Sequence, residues 1–347
     1  MLTFYNEFHS QHRGRFEIFR GEMVPCFEQP ARVDSVLAEL GRRGLGKIVT
    51  PHGVPLMSLE RVHTPRYLQF LRGAWNEWLA LDPANAARDA FPAVWPVRTL
   101  RDDIEPDNFC AKLGLYSMDS GTPLTAGTWT AAKAGADCAV NAAHALRLGE
   151  RSAFVLTRPP GHHAGADFFG GYCFLNNAAL AAQHLLDDGA RRVAILDLDY
   201  HHGNGTQSIF YQRDDVLFIS LHADPRFEYP FYLGHADEKG AGAGLGYNMN
   251  LPLPSGTTST AWFAALETAC IRLGSYAPEA LVVSLGVDTF GGDPLSHFQL
   301  HSADYLRVGE RLAYLGLPTA FVFEGGYAVK ELGVNVVNVL EGFETAL

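Results

Sequence analysis

The second half of the sequence alternates short apolar runs with longer amphipathic stretches. Runs rich in β-branched and aromatic residues lie at 152–157, 192–198, 216–221, 280–285 and 319–323. Helix-like stretches lie at 127–150, 176–188 and 260–273. Such alternation is typical of a parallel sheet covered by helices on both faces. The sequence therefore predicts an α/β fold with one open, mostly parallel sheet, in a single domain over residues 1–347.

Residues 81–125, called the insertion below, break this rhythm. The segment carries five prolines and the aromatic residues Phe91, Trp95, Phe109 and Tyr116. Long irregular segments inside a compact domain are uncommon and usually serve binding or assembly. A solvated loop is the alternative, but the aromatic side chains favour a packed one. We predict that the insertion binds ligand or contacts a second copy of the chain.

Composition and charge narrow the classes of partner. The chain has 27 Lys and Arg against 38 Asp and Glu, a formal net charge of −11. This charge argues against nucleic-acid binding and suits a small cationic substrate. The five cysteines are odd in number and contain no C-x-x-C pair, which is typical of free thiols in a reducing compartment. With no apolar signal region and no run of about 18 apolar residues, we expect a cytoplasmic protein without a membrane partner.

Polar and ionisable residues follow each of the main apolar runs. The strand ends read "VLTRPPGHHAGAD", "ILDLDYHHGNG", "FISLHADP", "VVSLGVDT" and "FVFEGGYA". In open α/β sheets, ligands bind outside the carboxyl ends of the strands. The sequence therefore predicts one site assembled from several strand ends.

Three residues at two of these strand ends form a candidate metal site. Asp199 and His201 are separated by one residue, so their side chains point the same way from an extended backbone. Asp288 follows another strand and completes a set that leaves room for water and substrate, as catalytic zinc requires. An isolated Asp-x-His would more often be a turn cap beside a buried histidine. Zinc is favoured, although iron or cobalt fits the same ligands.

The remaining strand ends supply candidate acid–base groups. His162 and His163 follow two prolines, and a histidine acts as a general base near neutral pH. Asp197 is placed to orient one of them through a hydrogen bond. Tyr327 follows two glycines and can donate a hydrogen bond to a developing oxyanion, although such tyrosines often only pack.

With these residues in place, the sequence closely resembles the arginase–deacetylase superfamily, and within it the zinc-dependent histone deacetylases and the acetylpolyamine amidohydrolases. The matching motifs, in order, are "RPPGHHA", "FGGYCFLNNAA", "ILDLDYHHGNGTQ", "ISLH", "SLGVDT" and "EGGY". They lie between about Thr122 and Leu340. "RGEMVPCFEQPAR" and "GTPLTAGTW", nearer the N-terminus, are most similar to the acetylpolyamine branch.

The resemblance implies a role for each candidate catalytic residue. Asp199, His201 and Asp288 are expected to bind zinc, which activates water and polarises the amide carbonyl. His163 is expected to take the water proton and return it to the leaving amine, while His162, paired with Asp197, assists electrostatically. Tyr327 is expected to stabilise the oxyanion.

The resemblance also implies how the substrate, a second cation and a second copy of the chain bind. Gly171, Tyr172 and Tyr229 are expected to line a narrow channel for an alkyl chain. A structural potassium ion is expected near Asp197, Asp199 and Ser220. The insertion is expected to form a homodimer contact that narrows the entrance of the channel. Glu105 or Asp107 is expected to lie at that entrance and to attract the distant ammonium group of the substrate. The equally weighted alternative is that both residues are ordinary solvated charges.

One position departs from some members of the family. Asn204 stands where the eukaryotic class I deacetylases place an aspartate. An amide can orient His163 but stabilises its imidazolium less well, so the sequence leaves the pKa of the proton shuttle open. His202 alternates to the opposite face from His201 and is expected to be structural.

The sequence therefore predicts a zinc-dependent amidohydrolase that deacetylates polyamines of the acetylputrescine and acetylcadaverine type. The alternative is a deacylase of acyl-lysine peptides or other N-acyl amines. An arginase-like enzyme with two manganese ions needs more Asp and His ligands than the single set supplies. A protein that only binds acetylated ligands is disfavoured because every expected catalytic group is present.

Overall fold

The computed structural model describes residues 1–97 and 99–346. Arg98, in the predicted insertion, and Leu347, at the end of the predicted domain, lie outside the described residues. The strands are β1 Leu2–Tyr5, β2 Phe16–Phe19, β3 Glu22–Pro25, β4 Lys47–Val49, β5 Ser152–Leu156, β6 Val193–Asp197, β7 Val216–Ala223, β8 Asn248–Leu253, β9 Ala280–Leu285 and β10 Thr319–Phe323. The α-helices are α1 Ala31–Arg43, α2 Leu56–Leu59, α3 Pro65–Leu81, α4 Phe109–Leu115, α5 Thr128–Arg147, α6 Asn177–Asp187, α7 Asn204–Phe210, α8 Ser259–Tyr276, α9 Ser302–Ala313 and α10 Val329–Thr345.

One parallel sheet organises the molecule. Its strand order is β4-β1-β5-β10-β9-β6-β7-β8, and every neighbouring pair is parallel. Strands β2 and β3 form a separate antiparallel hairpin. The predicted α/β class is confirmed. The five strands predicted from sequence are neighbours in the sheet, β5-β10-β9-β6-β7, so their carboxyl ends meet along one edge.

Helices cover both faces of the sheet. In β6, Val193 and Ile195 enter one apolar core, to which α3, α5 and α6 contribute. Ala194 and Leu196 of the same strand enter a second core, to which α1, α8, α9 and α10 contribute. Burial on both faces explains the continuous apolar runs, and each buried Val, Leu or Ile contributes about 1.5–3 kcal/mol. Among the described residues, none of the helices combines the length and apolar character that crossing a membrane requires.

The insertion packs against the rest of the chain through its aromatic residues. Phe109 and Tyr116 are buried, and the indole of Trp95 donates a hydrogen bond to Ser117 Oγ at 2.9 Å. Ala90 and Leu124 exchange backbone hydrogen bonds and close the base of the segment. Five large apolar side chains of its described residues are exposed: Leu81, Val94, Val97, Leu100 and Ile104.

Candidate active site

The carboxyl ends of β6 and β9 bring together the three residues predicted to bind metal. Ligand atoms of Asp199, His201 and Asp288 all lie within 4.8 Å of one another. His201 Nδ1 is 3.3 Å from Asp199 Oδ1 and 3.1 Å from Asp288 Oδ2. Two buried carboxylates and one imidazole form a donor set suited to catalytic zinc. His201 also borders a cavity, so this set opens toward a ligand.

Backbone amides hold the two carboxylates in place. Gly325 N donates to Asp199 Oδ2 at 2.8 Å, and Tyr200 N donates to Asp288 Oδ1 at 2.8 Å. Burial and the repulsion of Asp199 raise the pKa of Asp288 to about 7. Burial opposes ionisation of Asp199 as well, but attraction by His162 and His201 leaves its pKa lowered. Two carboxylates this close repel each other when both are ionised. A bound cation would stabilise both charges and would replace the proton that they share without it.

His162 and His163 lie in the turn after β5, with ring centroids 4.0 Å apart. His162 Nδ1 is 2.9 Å from Asp197 Oδ2, and its Nε2 is 3.8 Å from Asp199 Oδ1. Burial disfavours a charged His162, but Asp197 and Asp199 outweigh it and raise its pKa to about 10. Burial and then the charge of His162 hold the pKa of His163 well below its ordinary value. The pair therefore combines a charged imidazole with a neutral one.

Asn204, at the start of α7, contacts the neutral histidine. Its Oδ1 lies 2.7 Å from His163 Nδ1. Asn204 is thus placed to orient His163, the position that its sequence motif predicts. His202, two residues earlier, turns away and pairs with Gln207 Oε1 at 3.0 Å in a separate buried network.

Tyr327 follows the Gly325–Gly326 turn and borders the same cavity as His201. A Cβ at Gly325 would lie 2.5 Å from carboxylate oxygens of both Asp199 and Asp288, so only glycine fits there. Gly326 has φ +125°, which favours glycine as well. Tyr327 N donates to Asp293 Oδ2 at 2.6 Å, which fixes the backbone beyond the turn.

Two buried residues that the sequence analysis missed support these turns. Glu324 Oε2 accepts the amide protons of Gly161 at 2.6 Å and His162 at 3.1 Å, and burial raises the pKa of Glu324 to about 7. Arg32 donates from Nε to Gly326 O at 2.7 Å, and its guanidinium lies 4.7 Å from the Tyr327 ring centroid. Glu324 opens the "EGGY" motif, so its position offered a signal. Arg32 closes the "RGEMVPCFEQPAR" motif, but it comes from α1, so the motif did not show that it reaches the Tyr327 turn.

The predicted channel residues line a cavity of about 260 Å³ that ends at His163, His201 and Tyr327. Gly171, Tyr172 and Tyr229 all border it. A Cβ at Gly171 would lie 2.2 Å from the His163 ring, and φ there is +54°. Glycine therefore allows the channel wall to approach the His163 ring closely.

Three carboxylates border the same cavity, and sequence reasoning missed all of them: Glu17, Asp119 and Glu228. Glu17 comes from the β2–β3 hairpin and accepts from the Tyr172 hydroxyl at 2.7 Å. Asp119 comes from the insertion and accepts from the Tyr229 hydroxyl at 2.7 Å and from Gly171 N at 2.6 Å. Arg20 is the one lysine or arginine among the described lining residues, against three carboxylates.

The structure does not place Glu105 or Asp107 in the lining of this cavity. Glu105 instead accepts from the Tyr116 hydroxyl and lies 3.4 Å from Lys112 Nζ. Asp107 is exposed on the surface of the insertion. Their predicted place, at an entrance shared with a second copy, stays a prediction.

Two serines flank Asp197 in the sheet, where a second cation was expected. Asp197 is in register with Ser220 of β7 and Ser284 of β9, and all three are fully buried. Ser220 Oγ pairs with His222 Nδ1 at 2.8 Å. Ser284 Oγ finds no hydrogen-bond partner among the described residues.

Comparison with known proteins gives consistent results. Residues 26–343 match the histone deacetylase domain family. The chain is 55% identical to acetylpolyamine amidohydrolase 2 of Pseudomonas aeruginosa over 99% of both chains. It is 45% identical to the acetylpolyamine amidohydrolase of Mycoplana ramosa, again over 99% of both. The crystal structure of an acetylpolyamine aminohydrolase from Burkholderia pseudomallei superposes with a TM-score of 0.94 at 39% identity, covering 100% of this chain and 99% of that one.

Proposed function

Because the chain belongs to the histone deacetylase domain family, we propose that it hydrolyses N-acetylated polyamines to acetate and the free amine. The observation that carries this proposal is one cavity that joins a metal-binding group to a wall of carboxylates. A metal-binding group of this kind suits amide hydrolysis, and the carboxylates suit a cationic substrate. Relatives named acetylpolyamine amidohydrolase, similar over nearly the whole chain, support the same assignment.

Asp199, His201 and Asp288 would hold the metal ion, and their donor set favours zinc. When bound, zinc would polarise the acetyl carbonyl and lower the pKa of water. Two groups of potential metal ligands occur among the described residues. We expect one ion per chain, because the Asp199 group borders the cavity through His201 whereas the other group, His162, Cys173 and Glu324, does not border it.

The proton transfers fall to the two histidines. His163 is neutral and its Nδ1 is committed to Asn204, so its Nε2 is free to accept a proton from the attacking water. It then delivers that proton to the amide nitrogen as the C–N bond breaks. His162, held charged by Asp197, stabilises negative charge developing beside it.

Tyr327 would donate a hydrogen bond to the acetyl oxygen as that oxygen becomes negative. Burial raises the pKa of the Tyr327 hydroxyl well above its ordinary value, so it keeps its proton throughout the working pH range. The Gly325–Gly326 turn and Arg32 hold the ring before substrate arrives, which avoids reorganisation during the reaction.

Selection of a cationic chain would fall to the cavity wall. Tyr172 and Tyr229 offer apolar ring faces to the methylenes, while Glu17, Asp119 and Glu228 attract the distal ammonium group. Glu17 and Asp119 accept hydrogen bonds from tyrosine hydroxyls, and neither forms a salt bridge to a lysine or arginine among the described residues, so both would be available to pair with the substrate ammonium group.

Substrate preference tests the proposal directly. The zinc-loaded enzyme is expected to turn over N-acetylputrescine, N-acetylcadaverine or N-acetylspermidine with higher kcat/KM than an acetyl-lysine peptide. Equal or faster peptide turnover would favour the acyl-lysine alternative. Exhaustive chelation is expected to remove all activity and added zinc to restore it; full activity in the chelated protein would refute the metal-dependent mechanism.

The assembly would be a homodimer formed through the insertion. Val94, Val97, Leu100 and Ile104 expose apolar surface on one irregular segment, a pattern typical of an interface. Replacing Val97 and Ile104 with aspartate is expected to give a monomer by light scattering. A second copy would also bring Glu105 and Asp107 toward the entrance, as the sequence predicts.

Two further assignments complete the proposal. A potassium ion would bind near Asp197, Asp199 and Ser220. The Ser284 hydroxyl, which has no hydrogen-bond partner within the described part of the chain, lies in a neighbouring strand. Exchange of potassium for a larger organic cation is then expected to lower Tm.

A cytoplasmic location rests on the five free cysteines, four of them buried, because such thiols persist in a reducing compartment.

A further inference from the structure

We propose that Met118 is a positioning residue that fixes the side-chain amide of Asn204 and, through it, the tautomer of His163. Asn204 Nδ2 lies 3.2 Å from Met118 Sδ and 3.5 Å from His163 O. Its Oδ1 lies 2.7 Å from His163 Nδ1. Met118 thus contacts the orienting amide on the side opposite the imidazole.

The thioether, at a shorter distance than the His163 carbonyl oxygen, helps to select which end of the amide faces the histidine. A methionine sulfur accepts hydrogen bonds but donates none, so it pairs with the Asn204 NH₂ and repels the carbonyl oxygen. The oxygen therefore faces His163 Nδ1, which must carry a hydrogen to donate to it. Nε2 is then bare and can accept a proton.

The opposite orientation of the amide would disable the base. It would place the NH₂ group against Nδ1, which would then have to be the bare nitrogen. The hydrogen would move to Nε2, and that atom could no longer accept a proton from water. An amide needs this guidance, whereas a carboxylate presents the same oxygens whichever way it turns.

The contacts of Met118 hold it in a fixed position, as its proposed role in orienting the Asn204 amide requires. Its backbone N donates to Phe169 O at 2.9 Å. Its side chain lies across Gly170, where a Cβ would come within 2.2 Å of Met118 Cγ. Met118 belongs to the insertion and borders, with Asn204 and Trp95, a groove of about 750 Å³ beside the catalytic cavity. The insertion therefore contacts the acid–base machinery as well as the entrance.

The test compares Met118→Leu in two backgrounds. Leucine keeps the volume and loses the acceptor, so kcat is expected to fall about three- to tenfold with KM unchanged, the scale of one weak hydrogen bond. In the Asn204→Asp background the same substitution is expected to have no effect on kcat. Met57→Leu, on an exposed side chain, is the matched control. An equal loss in both backgrounds would assign Met118 a packing role only and overturn the inference.

A second readout needs no substrate. Nitrogen-15 NMR of the zinc-loaded protein is expected to place the His163 proton on Nδ1, with a mixture of tautomers in Met118→Leu. An unchanged tautomer in that variant overturns the inference. The inference rests on the proposed role of His163 as base; if no acetylated polyamine is hydrolysed, the proposed function fails while the NMR result still decides the tautomer.

Discussion

At the scale of single residues, the site keeps two adjacent imidazoles in different protonation states. Asp197 and Asp199 hold His162 charged, and that charge joins burial in holding His163 neutral. Such separation of pKa values is typical of acid–base catalysis, because one fold then supplies a fixed charge and a mobile proton side by side. Asn204, which is uncharged, leaves this difference intact.

The proposed hydrogen bond from the Tyr327 hydroxyl to the substrate oxyanion can be tested by its effect on kcat. Tyr327→Phe removes one hydrogen bond to the developing oxyanion, so kcat is expected to fall by about a hundred-fold or more. Metal content, measured by mass spectrometry, is expected to stay at the wild-type level. Tyr314→Phe, on an exposed side chain, is the control, and turnover near wild type in Tyr327→Phe would contradict the role.

Glu17 predicts a pH dependence of substrate binding. Burial raises its pKa to about 7, although the Tyr172 hydroxyl and the Phe27 amide oppose that rise. Below about pH 7 Glu17 becomes protonated and loses its attraction for an ammonium group, so KM for N-acetylputrescine is expected to rise as pH falls from 8 to 6. Glu17→Gln is expected to show a high KM without this dependence. The exposed Glu22→Gln is the control, and an unchanged profile in Glu17→Gln would contradict the assignment.

The sequence predicted those site residues that share a motif or follow a predicted strand. That Asp199 and His201 point the same way could be predicted from their spacing, because extended backbone projects alternate residues to one side. Glu17 and Asp119 are not, because each is an ordinary acid in its own segment and meets the cavity only through tertiary packing. Met118 was missed because it meets Asn204 only through tertiary packing.

At the scale of elements, strand ends carry the chemistry and glycines set how closely they approach one another. Gly325→Ala would force a Cβ against the carboxylates of Asp199 and Asp288. Zinc content and kcat are both expected to fall by about tenfold or more, because the ligand geometry must shift. Gly274→Ala, in α8 with open space around it, is the control. Full zinc occupancy with normal activity in Gly325→Ala would show that the turn can yield.

The central strands could be predicted and the outer ones could not. Strands β5, β6, β7, β9 and β10 are buried on both faces, so they appear as unbroken apolar runs. Strand β4 has three residues with an exposed lysine, and β8 mixes asparagine and proline with its apolar residues. Edge strands contact solvent on one side, so their sequences lack the signal that burial imposes.

At the scale of the whole molecule, the net charge of −11 favours the arrival of cationic substrates. As ionic strength rises from 0.01 to 0.15 M, the screening length falls from about 30 to about 8 Å. We expect kcat/KM to fall several-fold for N-acetylspermidine and less for N-acetylputrescine, which carries one charge fewer. N-butylacetamide, an uncharged analogue, is expected to show no such decrease. Equal salt effects on all three substrates would show that long-range electrostatic attraction does not contribute to kcat/KM.

The strand order also constrains how the chain acquires its site during synthesis. Strand β10 is the last to be made, yet it lies in the middle of the sheet between β5 and β9. Until the ribosome has released residues 319–323, those two strands present open edges that attract other chains. The Tyr327 turn follows β10 directly, so Tyr327 takes its place beside the cavity only after this late, long-range pairing. Because pairing of strands distant in sequence is slow, we expect this late closure to be the stage at which the chain is most prone to aggregate.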